Sequence, residues 1–168
     1  MALSVDNATA ELLRHVVAQS GSRRPLYPDA ACRSATAKQL AASCHRHRLK
    51  CLVWCITDRR LHVVLRGLPA SITLATHELI GSRLQQGHWL STIVNRDVYL
   101  LEVARHVLLG PVRAGLCRHA AEWPFSSARE SLGLRPAPAW MDLASLYELL
   151  GPRDSNCVAR MRRFMVNG

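Results

Sequence analysis

Histidine and arginine side chains at short spacings are the residues of this sequence best suited to chemistry. Arg60 and His62 flank one apolar residue, and His106 lies in an apolar segment that ends at Gly110. An imidazole can bind a metal, donate a hydrogen bond to a phosphate or attack phosphorus as a nucleophile. A guanidinium can bind a phosphate through two parallel hydrogen bonds. These residue types therefore indicate phosphate binding or phosphate chemistry.

The charge of the chain favours a polyanionic partner. It has 22 Lys and Arg residues against 12 Asp and Glu residues, a net charge of +10. Nucleic acid is the first candidate for the partner and an anionic membrane the second, while a basic surface that only maintains solubility is the alternative. The candidate DNA-binding residues are Arg23, Arg24, Arg59, Arg60, His62, Arg66 and Arg113.

Length and composition predict one folded domain in a reducing compartment. The chain has 168 residues, 49% of them hydrophobic, which is enough for a sizeable core. No apolar run approaches the roughly 20 residues of a membrane span, and the N-terminus lacks the pattern of a signal peptide. We therefore expect a cytoplasmic protein whose six cysteines are reduced thiols. Zinc is not expected, because Cys51 and Cys55 would lie roughly 13 Å apart on a strand.

Periodicity and turn residues predict an alternation of strands and helices. Strands are expected over 12–19, 49–57, 61–66 and 90–94, and helices over 31–48, 73–86, 97–108, 142–150 and 157–165. Asp29 and Asp97 are suited to begin helices, and Gly110-Pro111 is suited to end one. This order predicts an α+β fold of the ferredoxin-like, split βαβ type, with an antiparallel sheet, helices on one face and a helical C-terminal extension.

Several segments, in the same order along the chain, resemble one known family. The strongest is the run Pro-Val-Arg-Ala-Gly-Leu at 111–116, and Glu-Trp-Pro-Phe-Ser-Ser-Ala-Arg at 122–129 supports it, as do 54–65 and 99–103. Together they resemble the REP-associated tyrosine transposases, a branch of the HUH single-tyrosine DNA-nicking enzymes. The resemblance runs nearly end to end, although the stretch between 86 and 95 is shorter than usual. It implies a transposase-like HUH-type domain over 1–118 and an extension over 119–168 that packs on it.

The resemblance implies a metal-assisted nucleophilic site from which this chain departs. In the family, two histidines flanking an apolar residue bind a divalent metal, and a tyrosine on the following helix attacks a DNA phosphate. A polar residue one turn later completes the metal site. The corresponding residues here are Arg60, His62, His106 and Gly110. Three of these four positions differ from the family pattern, so we expect an impaired catalytic centre.

Each of these positions has two interpretations. His62 is a remnant metal ligand or phosphate contact, or else a strand residue without a ligand, since one imidazole is a poor site for Mg²⁺ or Mn²⁺. Arg60 replaces the charge of the metal, or is a solvated turn residue. His106 is the catalytic nucleophile or only a helix residue, and Tyr99, two turns earlier, is a packing residue or a substitute nucleophile. No cofactor is expected, and Mg²⁺ or Mn²⁺ only if the site is active.

The sequence supports three functional hypotheses. The first is a transposase-like protein that binds single-stranded or hairpin DNA, is catalytically impaired and has a domesticated role. The second is an active transposase or nickase that cleaves and joins single-stranded DNA through a covalent intermediate at a rearranged site. The third is a protein-interaction module that kept only the fold. Under the first, the partner is DNA and not a membrane, and the protein is a monomer or homodimer associated with the bacterial nucleoid in the cytoplasm.

Overall fold

The computed structural model describes residues 10–81, 87–94 and 97–166, within which lie four strands and seven α-helices. The strands are β1 (Leu12–Ser20), β2 (Lys50–Ile56), β3 (Arg60–Gly67) and β4 (Gly87–Ile93). The helices are α1 (Ala30–Arg46), α2 (Pro69–Ile80), α3 (Asp97–Leu108), α4 (Gly110–Arg113), α5 (Ala128–Ser131), α6 (Leu143–Glu148) and α7 (Cys157–Val166). A short 3-10 helix spans Ala120–Glu122.

Local signals explain several helix boundaries. Asp29 caps α1, because its carboxylate accepts a hydrogen bond from the N–H of Cys32 at 2.7 Å. Pro69 begins α2, where a missing N–H has no cost, so this helix starts four residues before the predicted position. The predicted end of that helix, 82–86, lies outside the described residues. No described helix combines the length and the apolar character needed to cross a bilayer.

The four strands form one antiparallel sheet in the order β2-β3-β1-β4. His62 of β3 stands opposite Val17 of β1 and Cys55 of β2. Opposite residues of antiparallel strands share a face, so these three side chains point to the same side of the sheet. The register thereby places the middle of β3 beside residues that are distant in sequence.

Helices cover both faces of the sheet and produce two hydrophobic cores. On one face, α1 and α2 pack against side chains such as Val16 and Val63. On the other face, α3, α6 and α7 pack against Val53 and Val64. The α+β class, the antiparallel sheet and the C-terminal helices are confirmed. The placement of the helices on one face is corrected, because β2 is buried on both faces and therefore needs cover on both.

The second face is left open over β1 and β4. Leu90 of β4 lies on this face and is 64% exposed. His15 and Val17 of β1 share the face and are half-buried. The open strip runs beside the N-terminal turns of α3, where Tyr99 is 43% exposed. Side chains on this strip are therefore accessible to a ligand.

The C-terminal segment completes the outer edge of β2. The N–H of Ile56 donates to the carbonyl oxygen of Phe125 at 2.8 Å, and the N–H of Cys51 donates to that of Trp140 at 3.0 Å. The N–H of Asp142 returns a bond to the Cys51 carbonyl at 2.9 Å. These bonds satisfy backbone groups that an open edge strand would expose. The division of the chain at residue 118 stays a prediction.

Candidate functional site

One cavity collects most of the predicted site residues at the end of the sheet where β2 turns into β3. It measures about 300 Å³. The turn and β3 contribute Arg59, Arg60 and His62, while α3 and α4 contribute His106 and Arg113. Thr57, Asp58 and Gly110 also line it. We call it the HR cavity.

His62 and His106 meet at the floor of the HR cavity. Alternation along β3 buries Leu61 and Val63 in the first core, and so turns His62 to the face beneath α3. His106 lies in the last turn of α3, and the two ring centroids are 5.4 Å apart in an edge contact. α3 ends two residues later, before Gly110-Pro111, so the cavity opens beside His106.

His15 of β1 joins this pair, although it was not among the residues predicted for the site. Its Nε2 lies 3.2 Å from Nδ1 of His62, and the two rings stack with centroids 5.4 Å apart. The sequence signal is the alternation of His15 with buried Val16, which assigns His15 to a face of β1. That alternation does not tell which strand lies next to β1, so the contact appears only in the folded chain.

Burial lowers the pKa values of the histidine cluster, His15, His62 and His106, and keeps His15 and His62 neutral at pH 7. It lowers the pKa of His15 to about 4, with a smaller contribution from His106. It lowers the pKa of His62 to about 3, helped by His15, His106 and Arg60. The pKa of His106 is lowered by burial and by the charges of Arg113 and Arg60. A neutral imidazole both donates and accepts a hydrogen bond, so the cluster offers polar contacts without adding charge.

Arg60 and Arg113 bring two exposed guanidinium groups to the HR cavity. Nη1 of Arg113 lies 3.2 Å from Nδ1 of His106 and donates to the carbonyl oxygen of His106 at 3.3 Å. Because a guanidinium only donates, Nδ1 of His106 accepts, and its ring proton is on Nε2. Within the described part of the chain, neither arginine forms an ion pair with a carboxylate. Their charges can therefore act on an anion.

Arg59 holds the basic loop that carries Arg23 and Arg24. Its Nη2 donates to the carbonyl oxygen of Ser22 at 2.6 Å, and its Nη1 to that of Arg23 at 3.2 Å. The N–H of Ser20 donates in turn to the carbonyl oxygen of Arg59 at 3.0 Å. The exposed side chains of Arg23 and Arg24 therefore lie near the turn that forms one wall of the HR cavity.

Arg66 lies apart from the other predicted site residues, at the opposite end of β3. Its guanidinium forms an ion pair with Asp142 and donates to Oγ of Ser145 at 3.0 Å. Glu11 lies 3.9 Å from its Nε. The structure therefore gives this arginine a contact with the C-terminal segment, and its role in DNA binding stays a prediction.

The donor set of the HR cavity does not fit the divalent metal that the resemblance implies. Arg60 places a cation at one ligand position, and Gly110 has no side chain to offer. Nδ1 of His62 is already in contact with His15. In residues 10–81, 87–94 and 97–166, no group of three or more His, Cys, Asp or Glu side chains could hold a metal ion. Hard ions such as Mg²⁺ prefer several oxygen ligands, which these side chains do not supply.

A second cavity adjoins the HR cavity along the open strip of the sheet. It measures about 430 Å³ and shares His106 and Arg113 with the HR cavity. Tyr99 and His15 line it, together with Glu102, which lies 3.4 Å from Arg105. The structure therefore places a partly exposed tyrosine hydroxyl two helical turns from His106, on the same side of α3.

Comparison with known proteins shows a likeness in structure. No model of a known protein family matches the sequence, and no curated protein matches it. Among solved structures, the chain is similar to a REP-associated tyrosine transposase bound to a REP hairpin, with a TM-score of 0.61 and 12% identity. The match covers 92% of this chain and 99% of the other. A likeness at this identity establishes the fold alone, and the chain has the fold of a REP-associated tyrosine transposase.

Proposed function

We propose that this protein binds single-stranded or hairpin DNA at the HR cavity, and that its catalytic centre is impaired. The observation that carries the proposal is the pair of exposed guanidinium groups of Arg60 and Arg113 beside a neutral histidine cluster. One guanidinium group can bind two phosphate oxygens through parallel hydrogen bonds, and imidazole N–H groups can donate further hydrogen bonds to phosphate. Such a site suits the phosphate backbone of a DNA strand.

Two further observations support DNA as the partner. The net charge of +10 attracts a polyanion, and the basic loop of Arg23 and Arg24 lies beside the HR cavity. The transposase of similar structure was solved with a hairpin bound to it. We propose the same class of ligand for this chain, which would act as a monomer or homodimer on DNA in the bacterial cytoplasm.

The catalytic impairment follows from the residues that line the HR cavity. Arg60 supplies a positive charge that can stabilise a bound phosphate, but it supplies no Lewis acid to polarise one. His106 donates only through Nε2 while Arg113 occupies its other nitrogen. Binding without strand cleavage is therefore the expected behaviour.

The proposal is tested by DNA binding and cleavage on the same protein. We would incubate it with a labelled hairpin that has a single-stranded extension, with and without Mn²⁺, and analyse native and denaturing gels. The expected result is a shifted band on the native gel and neither cleavage nor a covalent band on the denaturing gel. The double variant R60A/R113A should bind about tenfold more weakly at low salt. It should also lower the slope of log K against log salt by about 1.4, the value for two single-strand phosphate contacts.

The matched control is R129A/R153A, which removes the same charge from residues that line neither cavity. It should retain most of the affinity, because Arg153 is paired with Glu148 and Arg129 lies outside both cavities. Equal losses in the two double variants would refute the HR cavity as the binding site. Absence of any shift at low salt would refute DNA binding itself.

A second candidate function is strand cleavage with Tyr99 as the nucleophile. The observation in its favour is that Tyr99 lines a cavity with His15, His106 and Arg113. Its Oη would attack phosphorus to form a phosphotyrosine link, and the 3′ oxygen of the broken bond would leave as a hydroxyl. A covalent band that disappears in the Y99F variant would establish this function and overturn the impaired centre.

A further inference from the structure

A third cavity, which is basic and lies far from the HR cavity, is found at the end of α1. It measures about 620 Å³ and is lined by Cys44, His45, Arg48, Leu49, Lys50, Ala139 and Trp140. The side chains of His45, Arg48 and Lys50 are exposed, while Trp140 is partly buried against the first core. We call it the α1 cavity.

Arg48 occupies a backbone position that favours glycine. Its φ is 54°, in the left-handed region. The N–H of Leu49 donates to the carbonyl oxygen of Cys44 at 2.8 Å, a bond that closes the end of α1 in a Schellman-type turn. Glycine is the usual residue at this position because a Cβ is disfavoured there. The chain therefore accepts a less favourable backbone to keep an arginine side chain at the mouth of the α1 cavity.

The charges of the α1 cavity are available, whereas those of nearby basic residues are not. Arg46 and His47 lie 2.8 and 2.9 Å from Glu78, and Arg66 pairs with Asp142. Arg48 and Lys50 have no carboxylate partner in the described part of the chain. Lys50 is oriented by a hydrogen bond from its Nζ to the carbonyl oxygen of Ala139 at 2.7 Å.

Trp140 supplies an aromatic surface beside these charges. Its carbonyl oxygen accepts the N–H of Cys51 at 3.0 Å, so its backbone is fixed to the edge of β2. Its side chain packs in part against the first core and in part lines the α1 cavity. A binding site for single-stranded nucleic acid has two parts. Cationic side chains bind the phosphate backbone, and an aromatic ring stacks on a base.

The α1 cavity and the HR cavity lie at opposite ends of the β2–β3 ladder. Lys50 pairs with Arg66 at one end, and Ile56 pairs with Leu61 at the other. Six residues of strand separate these two ends, roughly 20 Å along the sheet. The cavities also lie on opposite faces, because Cys44 and Leu49 belong to the first core whereas His62 lies beneath α3. A strand that occupies both cavities must therefore pass around the sheet and be longer than the roughly six nucleotide steps that span 20 Å.

We propose that the α1 cavity is a second nucleic-acid contact, at which Arg48 and Lys50 bind phosphates of a single strand and Trp140 stacks on a base. The inference rests on the proposed function, since it assumes that DNA is the partner. It extends the contact surface to the far end of the sheet. The same protein should therefore bind long single strands more tightly than strands that fill only one cavity.

The test is the binding of oligothymidine of 20 nucleotides to the R48G and K50A variants, measured by fluorescence anisotropy over a range of salt concentrations. Each variant should weaken binding about fivefold and lower the salt slope by about 0.7, the value for one single-strand phosphate contact. R48G should at the same time leave the melting temperature unchanged or raise it by about 2–4 °C, because glycine relieves the left-handed backbone. A weaker ligand contact in a protein that is no less stable cannot come from misfolding.

The matched control is R46A, which removes the same charge two residues from Arg48, from an arginine that is paired with Glu78. It should change the affinity less than twofold. Photocrosslinking with iodouracil-substituted oligonucleotide should in addition yield a crosslinked peptide that contains Trp140. Unchanged affinity in R48G and K50A, equal losses in R46A, or crosslinks confined to peptides of the HR cavity would overturn the inference while DNA binding itself stands. Wild-type protein that binds no DNA would refute the proposed function as well.

Discussion

Acid should destabilise this protein through the contact between His15 and His62. Both rings are neutral in the folded chain, because burial lowers their pKa values to about 4 and about 3. In the unfolded chain each takes up a proton near pH 6.5. The unfolded state then binds more protons than the folded state below pH 6.5, so the free energy of unfolding rises with pH. The stability is complete above pH 6.5 and is lost as the pH falls towards 4.

The magnitude follows from the pH interval over which only the unfolded state is protonated. One pKa unit corresponds to about 1.4 kcal/mol, so His62 alone accounts for up to about 2.7 kcal/mol between pH 6.5 and 4.5. The pKa of His15 is lowered less and water screens its interactions, so His15 adds less. The pair should therefore remove about 3–4 kcal/mol of stability over these two pH units. Glu78, whose pKa is lowered to about 2, loses its contribution only below pH 4.5 and does not interfere.

Other groups around the histidine pair set the local field. His106 faces the pair from α3 and Arg60 approaches from β3, and both disfavour a proton on His62. Arg113, on α4, lies against His106 and disfavours a proton there. Cys55 lies opposite His62 on β2, and burial raises the pKa of its thiol to about 12, so it stays uncharged. The carboxylates of Asp58 and Glu102 line the two cavities, but neither forms an ion pair with His15 or His62 in the described part of the chain. His15 and His62 therefore stay neutral as the pH falls, until the protein unfolds.

The assay is urea unfolding followed by tryptophan fluorescence at pH values between 7.5 and 4.5. Wild-type protein should lose stability steeply, and the double variant H15Q/H62Q, which cannot titrate at these positions, should lose about 3 kcal/mol less over the same interval. H88Q, an exposed histidine on β4, is the control and should follow the wild type. Parallel curves for the wild type and the double variant would refute the assignment of two neutral, half-buried imidazoles.

Three further predictions concern the fold and the replaced metal positions. D142A should lower the free energy of unfolding by about 2 kcal/mol, because Asp142 caps α6 and pairs with Arg66. D142N keeps the cap and should lower it by about half as much. Urea unfolding measures both values. Y147F should cost about 1 kcal/mol, because the hydroxyl of Tyr147 donates to the carbonyl of Ser131 at 2.9 Å. The double variant R60H/G110N should fold, since a Cβ at position 110 meets no atom within 4 Å, and should bind Mn²⁺ as measured by electron paramagnetic resonance. Equal Mn²⁺ signals for variant and wild type would contradict the assignment of these two positions to the family's metal site.

The sequence predicted the elements because each depends on local interactions. Asp29 begins α1, and the apolar spacing of α3 runs to Leu108 before Gly110-Pro111, as expected. Turn residues and alternation located all four strands to within a few residues. The observed start of α2 differs from the predicted one. Proline is favoured in the first turn of a helix and disfavoured in its interior, so a proline alone does not tell whether a helix begins or is interrupted there. Local signals of this kind involve residues that are close together in the chain, so they can be recognised from the sequence alone.

The candidate site was predictable only in part. The sequence brought Arg60, His62 and His106 together through a resemblance, and all three line the HR cavity. The charge pattern grouped Arg66 with them, although six positions of β3 separate it from Arg60 and it forms an ion pair with Asp142. Which charges are balanced depends on partners far along the chain, and a charge count cannot distinguish a paired arginine from an available one.

What the sequence by itself determined is therefore the set of elements and the sides of the strands that are apolar, while the replacement of the residues expected to do chemistry stays a prediction. What only the tertiary structure decided is which of these residues meet. His15 touches His62 from 47 residues away because burial of Val16 and Val63 in one core fixes the register of β1 against β3. A shift of β1 by one residue would turn His15 to the opposite face of the sheet, away from His62. Register is a property of the whole sheet, because its free energy comes from the core on both faces and no single strand carries it.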